Sequence, residues 1–180
     1  MNVPLFLTLV RIVAIPILVI VLIANFPGKD WTSFIIFVLA TLTDTLDGFF
    51  ARRSRQITVL GQLLDPTADK LLVASVLICL VGAGRVPAWM AVIIIGREVA
   101  VTGFRAMASS KGINIPASLL GKVKMILETV TIAILLLGQR ILGPLYFLAG
   151  VGLWLTLFVV ILSAAEYYVK YGPSVISGHT

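Results

Sequence analysis

Two neighbouring segments constrain the fold and function of this chain most strongly. The first is Asp44-Thr-Leu-Asp-Gly-Phe-Phe-Ala-Arg52, and the second, after eight intervening residues, is Gly61-Gln-Leu-Leu-Asp-Pro-Thr-Ala-Asp69. They contain four of the eight acidic residues of the chain, in otherwise strongly apolar sequence. These are Asp44, Asp47, Asp65 and Asp69. An ionised carboxylate in apolar surroundings is costly unless it is paired or coordinates a metal, and a divalent cation is the strongest local counter-charge available. The cluster therefore predicts a site for divalent cations.

The composition around this cluster is that of a membrane protein. Of 180 residues, 59% are hydrophobic and 12% are charged, whereas soluble domains are about half apolar and about a quarter charged. The mean hydropathy of +1.09 comes from apolar runs along the whole chain, which argues against a separate soluble domain. The net charge of +6 fits attraction to anionic lipid or phosphate, and nothing in the sequence is typical of a nucleic-acid-binding module.

Six apolar runs have the length that a transmembrane helix needs, roughly 20 residues. They cover residues 5–25, 31–51, 59–81, 87–109, 118–138 and 143–168. Turn-forming residues mark breaks at 27–30, 82–85 and 138–143. The pattern predicts an all-α membrane protein, a single domain over residues 1–180, whose six transmembrane helices enclose a polar cavity open to the cytoplasmic side.

The first apolar run has no positively charged segment before it and no A-x-A-like cleavage site, which favours an uncleaved helix over a signal peptide. Arg11 interrupts that run. Either its side chain snorkels to the membrane surface, or the segment before it lies along the interface as an amphipathic turn.

Basic residues are distributed unevenly between the two ends of the predicted bundle. The connections after the second and fourth runs, with the adjoining helix ends, carry Arg52, Arg53, Arg55, Arg105, Lys111, Lys122 and Lys124. The opposite connections carry only Lys29, Arg85 and Arg140. The positive-inside rule then places both termini and the aspartates on the cytoplasmic side, and a bacterial inner membrane is the simplest setting.

The spacing of the aspartates lets their carboxylates converge. Asp44 and Asp47 are three residues apart in the second run. Asp65 and Asp69 are four residues apart in the third run. Each pair therefore shares one helix face, and a short connection makes the two helices antiparallel neighbours. Up to eight carboxylate oxygens can then surround one point, enough for two hard cations such as Mg²⁺ or Mn²⁺.

Small residues and an arginine accompany the acids. Gly48 and Gly61 remove side chains where a ligand or a neighbouring backbone can approach closely, and Ala51 keeps its helix slim. Arg52 adds a planar cation suited to bidentate phosphate binding. A helix-end carboxylate facing headgroup water would explain any single aspartate. Proton or cation transport also uses intramembrane acids, but it explains neither the glycines nor the position of all four acids on one side.

A second group of charges lies in the fourth and fifth runs. Arg97 is about halfway along the fourth run, where Glu98 is its only obvious local partner, and Arg105 follows it toward the cytoplasmic end. Lys122 opens the fifth run. Unpaired arginines are rare in lipid, and three cations suit a dianionic phosphate monoester, so we expect these residues to line a cavity below the aspartates. Cytoplasmic positive charge is the alternative for Arg105 and Lys122 and the preferred interpretation for Lys124.

These residues also match a known pattern. The two aspartate segments fit D-x2-D-G-x2-A-R-x8-G-x3-D-x3-D at every fixed position, and in this the chain resembles the CDP-alcohol phosphotransferases. The resemblance implies six transmembrane helices, usually in a homodimer. Residues 2–11, 96–105 and 121–124 are similar to the bacterial members that use glycerol 3-phosphate, the phosphatidylglycerophosphate synthases.

This resemblance implies a reaction and a division of roles. The phosphatidyl group of CDP-diacylglycerol would pass to glycerol 3-phosphate with release of CMP, assisted by two Mg²⁺ or Mn²⁺ ions. The expected metal ligands are Asp44, Asp47, Asp65 and Asp69, and Asp69 is also the expected general base. The expected CDP-diacylglycerol site comprises Asp47, Gly48, Ala51, Arg52 and Gly61. The expected acceptor-phosphate site comprises Arg97, Arg105 and Lys122.

Two alternatives stay open at this point. The same chemistry could use another acceptor, namely inositol phosphate, serine or phosphatidylglycerol, because the aspartates are common to all of these reactions. From a different class, a small cation transporter could use the acids as a relay.

Overall fold

The structure, a computed structural model, describes the backbone of residues 3–54, 59–113, 115–116 and 118–177. Side chains are described within these ranges except at residues 3–7, 44–54, 59–66, 174, 176 and 177. The described chain is helical and contains no strand. Its helices are α1 Val3–Ile23, α2 Lys29–Ser54, α3 Val59–Gly82, α4 Ala88–Ser110, α5 Leu119–Leu142 and α6 Phe147–Ser177, with a 3₁₀ turn at Gly143–Tyr146.

Each of the six predicted apolar runs overlaps one of these helices, so the all-α prediction is confirmed for the described residues. The predicted breaks coincide with connections in which Gly28, Gly84 and Gly143 have positive φ angles of 88°, 69° and 51°. Glycine suits these positions because it has no Cβ to clash in this region.

The last helix continues past its predicted end at Tyr168 to Ser177, through Pro173. Contacts to the α4–α5 connection stabilise this extension. Lys111 Nζ donates a hydrogen bond of 2.6 Å to the carbonyl of Val175, and Val175 is buried in a small cluster with Val101 and Ala108 of α4. Contacts between residues far apart in the chain are not visible as an apolar run in the sequence. The extension of α6 could therefore not be predicted.

Helix packing creates one main core. The helix α1 packs against both α2 and α3, α5 packs against α2 and α6, and α4 packs against α3 and α6. Every helix contributes to the core, for example through Leu18, Phe37, Val76, Ile94, Leu135 and Val160.

Polar side chains are buried inside this bundle while large apolar side chains face outward. Arg11 on α1 is 0% exposed, whereas Ile20 on the same helix is 66% exposed. The expectation that Arg11 snorkels is wrong. Because α1 is helical from Val3 onward and lies on two other helices, the face that carries Arg11 points into the protein.

Helix length and composition identify one stretch, Leu119–Pro173, as long and apolar enough to cross a membrane among the described residues. It comprises α5, the 3₁₀ turn and most of α6. A shorter apolar helix covers Thr8–Ile23. The charged residues of the predicted site other than Lys122 lie in α2, α3 and α4 and make these helices less apolar.

The bundle end opposite the aspartates is held by Arg85 in the α3–α4 connection. Its guanidinium donates hydrogen bonds of 2.9 Å to the carbonyls of Leu135 and Leu136, and its Nη2 forms an ion pair of 2.7 Å with Asp30. Gly138, with φ of 69°, kinks α5 directly after these carbonyls. Arg85 thus bonds carbonyls at a kink and links α5 to the start of α2.

We predict that Gly138→Ala destabilises the protein by about 1–3 kcal/mol, the usual cost of a non-glycine residue in this conformation. The added Cβ would also lie 2.9 Å from Arg85 Nη1. Thermal unfolding in detergent measures the effect. The matched control is Gly150→Ala in α6, where a Cβ meets nothing within 4 Å. Equal melting temperatures for the two variants would contradict the role given to the kink.

Candidate active site

The backbone carries the four predicted metal ligands on two helices. Asp44 and Asp47 lie in α2, and Asp65 and Asp69 lie in α3. The side chains of the first three lie outside the described residues, as do Gly48, Ala51, Arg52 and Gly61 beyond their helical backbone. Among the side chains that are described, no group of three or more His, Cys, Asp or Glu residues could hold a metal ion. The four-carboxylate site stays a prediction, and carboxylate oxygens are the donors that Mg²⁺ and Mn²⁺ prefer.

Asp69 is partly buried and lies among charged groups from several helices. It lines a cavity of about 20 Å³ together with Glu98, Lys124 and Glu128, which is large enough for one water molecule. Arg11 on α1 interacts electrostatically with Asp69, as does Lys124 on α5. The predicted general base therefore lies where α3 meets cationic residues of two other helices.

Glu98 on α4 is shared by two cations. Its Oε1 accepts a hydrogen bond of 2.6 Å from Arg97 Nη1 and an ion-pair contact of 2.7 Å from Lys124 Nζ. Only 13% of the Glu98 side chain is exposed, and 10% of the Arg97 side chain. The local partner expected for Arg97 is thus present, but it also binds a residue on the next helix.

Lys124 joins this pair to a second carboxylate. Its Nζ lies 2.8 Å from Oε2 of Glu128, one turn further along α5, and the two side chains are 7% and 5% exposed. The interpretation of Lys124 as a source of cytoplasmic surface charge is therefore wrong. Because α5 packs its Lys124 face inward, the ammonium lies between two carboxylates and not in headgroup water.

Arg97 also reaches α6. Its Nη2 donates a hydrogen bond of 2.8 Å to Ser163 Oγ, and Ser163 is 0% exposed. The Arg97 Nε is buried and has no hydrogen-bond partner among the described residues. A guanidinium has five N–H donors, so Arg97 keeps donors for a further anion.

Arg105 lies two turns further along α4 and lines a different, more open cavity of about 310 Å³. Lys70, Thr102 and Ser109 line the same cavity. Arg105 Nη2 donates to the carbonyl of Ile115 at 3.3 Å. The cavity thus combines two cations with two hydroxyl groups.

The α4–α5 connection that borders this cavity is fixed by Tyr167 on α6. The Tyr167 hydroxyl accepts from the backbone N–H of Ser118 at 3.2 Å and lies 3.4 Å from the carbonyl of Pro116, to which it donates. Ser118 in turn caps α5, since its Oγ accepts from the Gly121 N–H at 3.0 Å. These contacts fix the start of α5 and, with it, the position of Lys124.

An apolar groove of about 400 Å³ runs between α3 and α4 beside the polar cavity. Leu71, Ala74 and Val99 line it, and it shares Lys70 and Thr102 with the polar cavity. Polar and apolar surfaces therefore adjoin along this helix pair.

The three predicted acceptor residues occupy different surroundings. Arg97 is in the buried ionic group, and Arg105 lines the polar cavity. Lys122 is exposed and lines neither the polar cavity nor the small cavity beside Asp69. The charged residues near the site that sequence reasoning did not assign to it are Arg11, Lys70, Glu98, Lys124 and Glu128. A charge inside an apolar helix was the available signal for each, and the i,i+4 spacing of Lys124 and Glu128 was a further one.

The sequence of this chain is similar to those of several known proteins. Residues 1–162 match the family described as CDP-alcohol phosphatidyltransferase. A protein of Bacillus subtilis strain 168 named CDP-diacylglycerol–glycerol-3-phosphate 3-phosphatidyltransferase is 37% identical over 182 residues, which cover 94% of each chain. Proteins of the same name from Rickettsia bellii and Rickettsia felis are 36% and 33% identical, each over 93% of both chains.

Proposed function

Because the chain belongs to the CDP-alcohol phosphatidyltransferase family, we propose that it transfers the phosphatidyl group of CDP-diacylglycerol to sn-glycerol 3-phosphate, giving phosphatidylglycerol phosphate and CMP. The observation that carries the proposal is the 37% identity, over 94% of the chain, to a relative named for this reaction. The aspartate segments of α2 and α3, which fit the family pattern at every fixed position, support the phosphatidyl transfer but not the choice of acceptor.

We further propose that all six helices cross the membrane and that the aspartate end of the bundle faces the cytoplasm of a bacterial cell, in a homodimer. The family is membrane-embedded. Outward-facing apolar residues on helices besides α5 and α6, such as Ile20, Ile78 and Val92, which are 66%, 62% and 68% exposed, support the wider assignment. The excess of basic residues at the aspartate end supports the orientation.

The metal site would use the four aspartates. Members of the family generally depend on divalent metal ions. We propose that Asp44, Asp47 and Asp65 hold two Mg²⁺ or Mn²⁺ ions and that Asp69 contributes to one of them. When bound, the ions supply positive charge that neutralises the pyrophosphate and the departing CMP.

The liponucleotide would lie against the same end of α2 and α3. Asp47, Gly48, Ala51, Arg52 and Gly61 would form the CDP-diacylglycerol site. Small residues let the diphosphate approach the helix backbones closely, and Arg52 offers a fork of donors for phosphate oxygens. The diacyl chains would stay among the helices and lipid, which explains why the reaction needs an intramembrane site.

Asp69 would act as the general base. Its carboxylate takes the proton of the primary hydroxyl of glycerol 3-phosphate as that oxygen bonds to the phosphorus that carries diacylglycerol. The bond from this phosphorus to the CMP oxygen breaks, and CMP leaves with the electron pair. Asp69 is suited by position, because it is partly buried and lines the small cavity beside Glu98 and Lys124.

Arg97, Arg105 and Lys122 would bind the phosphate of the acceptor. The unpartnered Nε of Arg97 and the polar cavity that Arg105 shares with Lys70 support this assignment. Arginine and lysine together favour a dianionic phosphate over a neutral hydroxyl compound.

The proposal predicts that purified protein with CDP-diacylglycerol and Mg²⁺ forms phosphatidylglycerol phosphate only when glycerol 3-phosphate is the acceptor. The assay supplies glycerol 3-phosphate, inositol phosphate, serine and phosphatidylglycerol in turn, and mass spectrometry identifies the lipid. A different lipid product would reassign the acceptor, and no CMP release with any acceptor would favour cation transport.

We predict that Asp69→Asn lowers kcat by about 100-fold or more, since loss of a general base costs about 10²–10⁴ in rate. CMP release measures turnover, and circular dichroism confirms folding. The matched control is Asp30→Asn at the opposite end of the bundle, which should lower thermal stability through its pairing with Arg85 and leave turnover near that of the wild type. Full activity of Asp69→Asn would reject the base assignment.

We predict that Arg97→Ala raises the KM for glycerol 3-phosphate by about tenfold or more, since a hydrogen bond to a charged group contributes about 1.5–3 kcal/mol. The KM for CDP-diacylglycerol should change far less. Initial rates with each substrate varied in turn separate the two constants. Arg140→Ala, at an exposed position of α5, is the control. Equal increases in both KM values would count against the acceptor assignment.

A further inference from the structure

Three members of the buried ionic group of α4 and α5 have no proposed role in the reaction, and only Arg97 has one. Arg97, Glu98, Lys124 and Glu128 form a chain of contacts of 2.6 Å, 2.7 Å and 2.8 Å. All four side chains are at most 13% exposed. Burying ion pairs costs desolvation that their attraction often only balances. Their presence therefore invites a functional explanation.

The carboxylate of Glu98 determines how much positive charge Arg97 presents. Both cations bind the same oxygen, Oε1, so Glu98 cannot neutralise Arg97 completely while Lys124 is in place. Arg97 is meanwhile oriented at its other end by Ser163. The guanidinium is therefore held at two points, and its buried Nε has no hydrogen-bond partner among the described residues.

Glu128 keeps Lys124 in this sharing position. Its Oε2 lies 2.8 Å from the ammonium, one turn further along α5. Without Glu128, the ammonium of Lys124 would have Glu98 as its only carboxylate partner in the chain of contacts. Without Lys124, Glu98 would close on Arg97 alone and Glu128 would be a buried, unpaired charge.

We propose that Lys124, anchored by Glu128, is a positioning residue for the acceptor-phosphate site. By sharing Glu98, it keeps Arg97 oriented and leaves the positive charge of Arg97 only partly neutralised toward the phosphate of glycerol 3-phosphate. This inference rests on the proposed function, because it takes Arg97 as an acceptor-binding residue. Lys124 acts through Glu98 and need not touch the substrate.

Steady-state kinetics of Lys124→Met test the proposal. The KM for glycerol 3-phosphate should rise about tenfold or more, with the KM for CDP-diacylglycerol within about twofold of the wild-type value. The control, Lys29→Met, makes the same substitution at the other end of the bundle and should change neither constant. Similar increases in both KM values for Lys124→Met would overturn the proposal.

A double variant keeps the test decisive if Lys124→Met folds poorly. Lys124→Met/Glu128→Gln removes the buried pair as a unit, which proteins often tolerate, and it leaves Glu98 paired with Arg97 alone. Its melting temperature should exceed that of Lys124→Met, while the KM for glycerol 3-phosphate stays raised. A KM restored to the wild-type value would show that Lys124 only neutralises Glu128, and would overturn the proposal.

The assay of the wild-type protein distinguishes a failure of this inference from a failure of the proposed function. If wild-type protein forms no lipid from glycerol 3-phosphate, the proposed function fails and the inference fails with it. If the wild type is active and both variants keep its KM for glycerol 3-phosphate, only the inference fails.

Discussion

Charges of opposite sign are buried against one another in the middle of the bundle, and each depends on its counterpart. Lys124 on α5 binds Glu98 on α4 and Glu128 on its own helix, and Asp69 on α3 lies beside this group and within electrostatic reach of Arg11 on α1. Removing one partner of a buried pair costs about 3–5 kcal/mol. Opposite charge thus connects helices whose outer faces are apolar.

The proposed reaction suits an interior of this kind. A liponucleotide brings a pyrophosphate and two acyl chains, so its polar and apolar parts need adjoining surfaces. The polar cavity at Arg105, proposed above for the acceptor phosphate, and the apolar groove between α3 and α4 share Lys70 and Thr102, so a phosphate and an acyl chain could lie side by side there. Cations near the acceptor would offset the negative charge that two phosphorylated substrates bring together.

Much of the fold could be predicted because apolar runs and turn residues are local signals, and Gly28, Gly84 and Gly143 lie at the breaks where they were expected. The aspartate pattern was equally local, since its spacing places each pair on one helix face. The burial of Arg11 and Lys124 was not predictable in this way. A basic residue in an apolar helix can snorkel or turn inward. Only the packing of α1 on α2 and α3, and of α5 on α2, α3 and α6, decides between these outcomes. The extension of α6 likewise depends on contacts with residues far away in the chain.

The central claim is that the four aspartates of α2 and α3 form a two-metal site, and anomalous diffraction tests it most directly. Crystals grown with Mn²⁺ and CDP-diacylglycerol, measured at the manganese absorption edge, should show two peaks about 3.5–4 Å apart, bound by oxygens of Asp44, Asp47, Asp65 and Asp69. Peaks found only elsewhere in the protein, or no peak in crystals that contain the liponucleotide, would contradict the account.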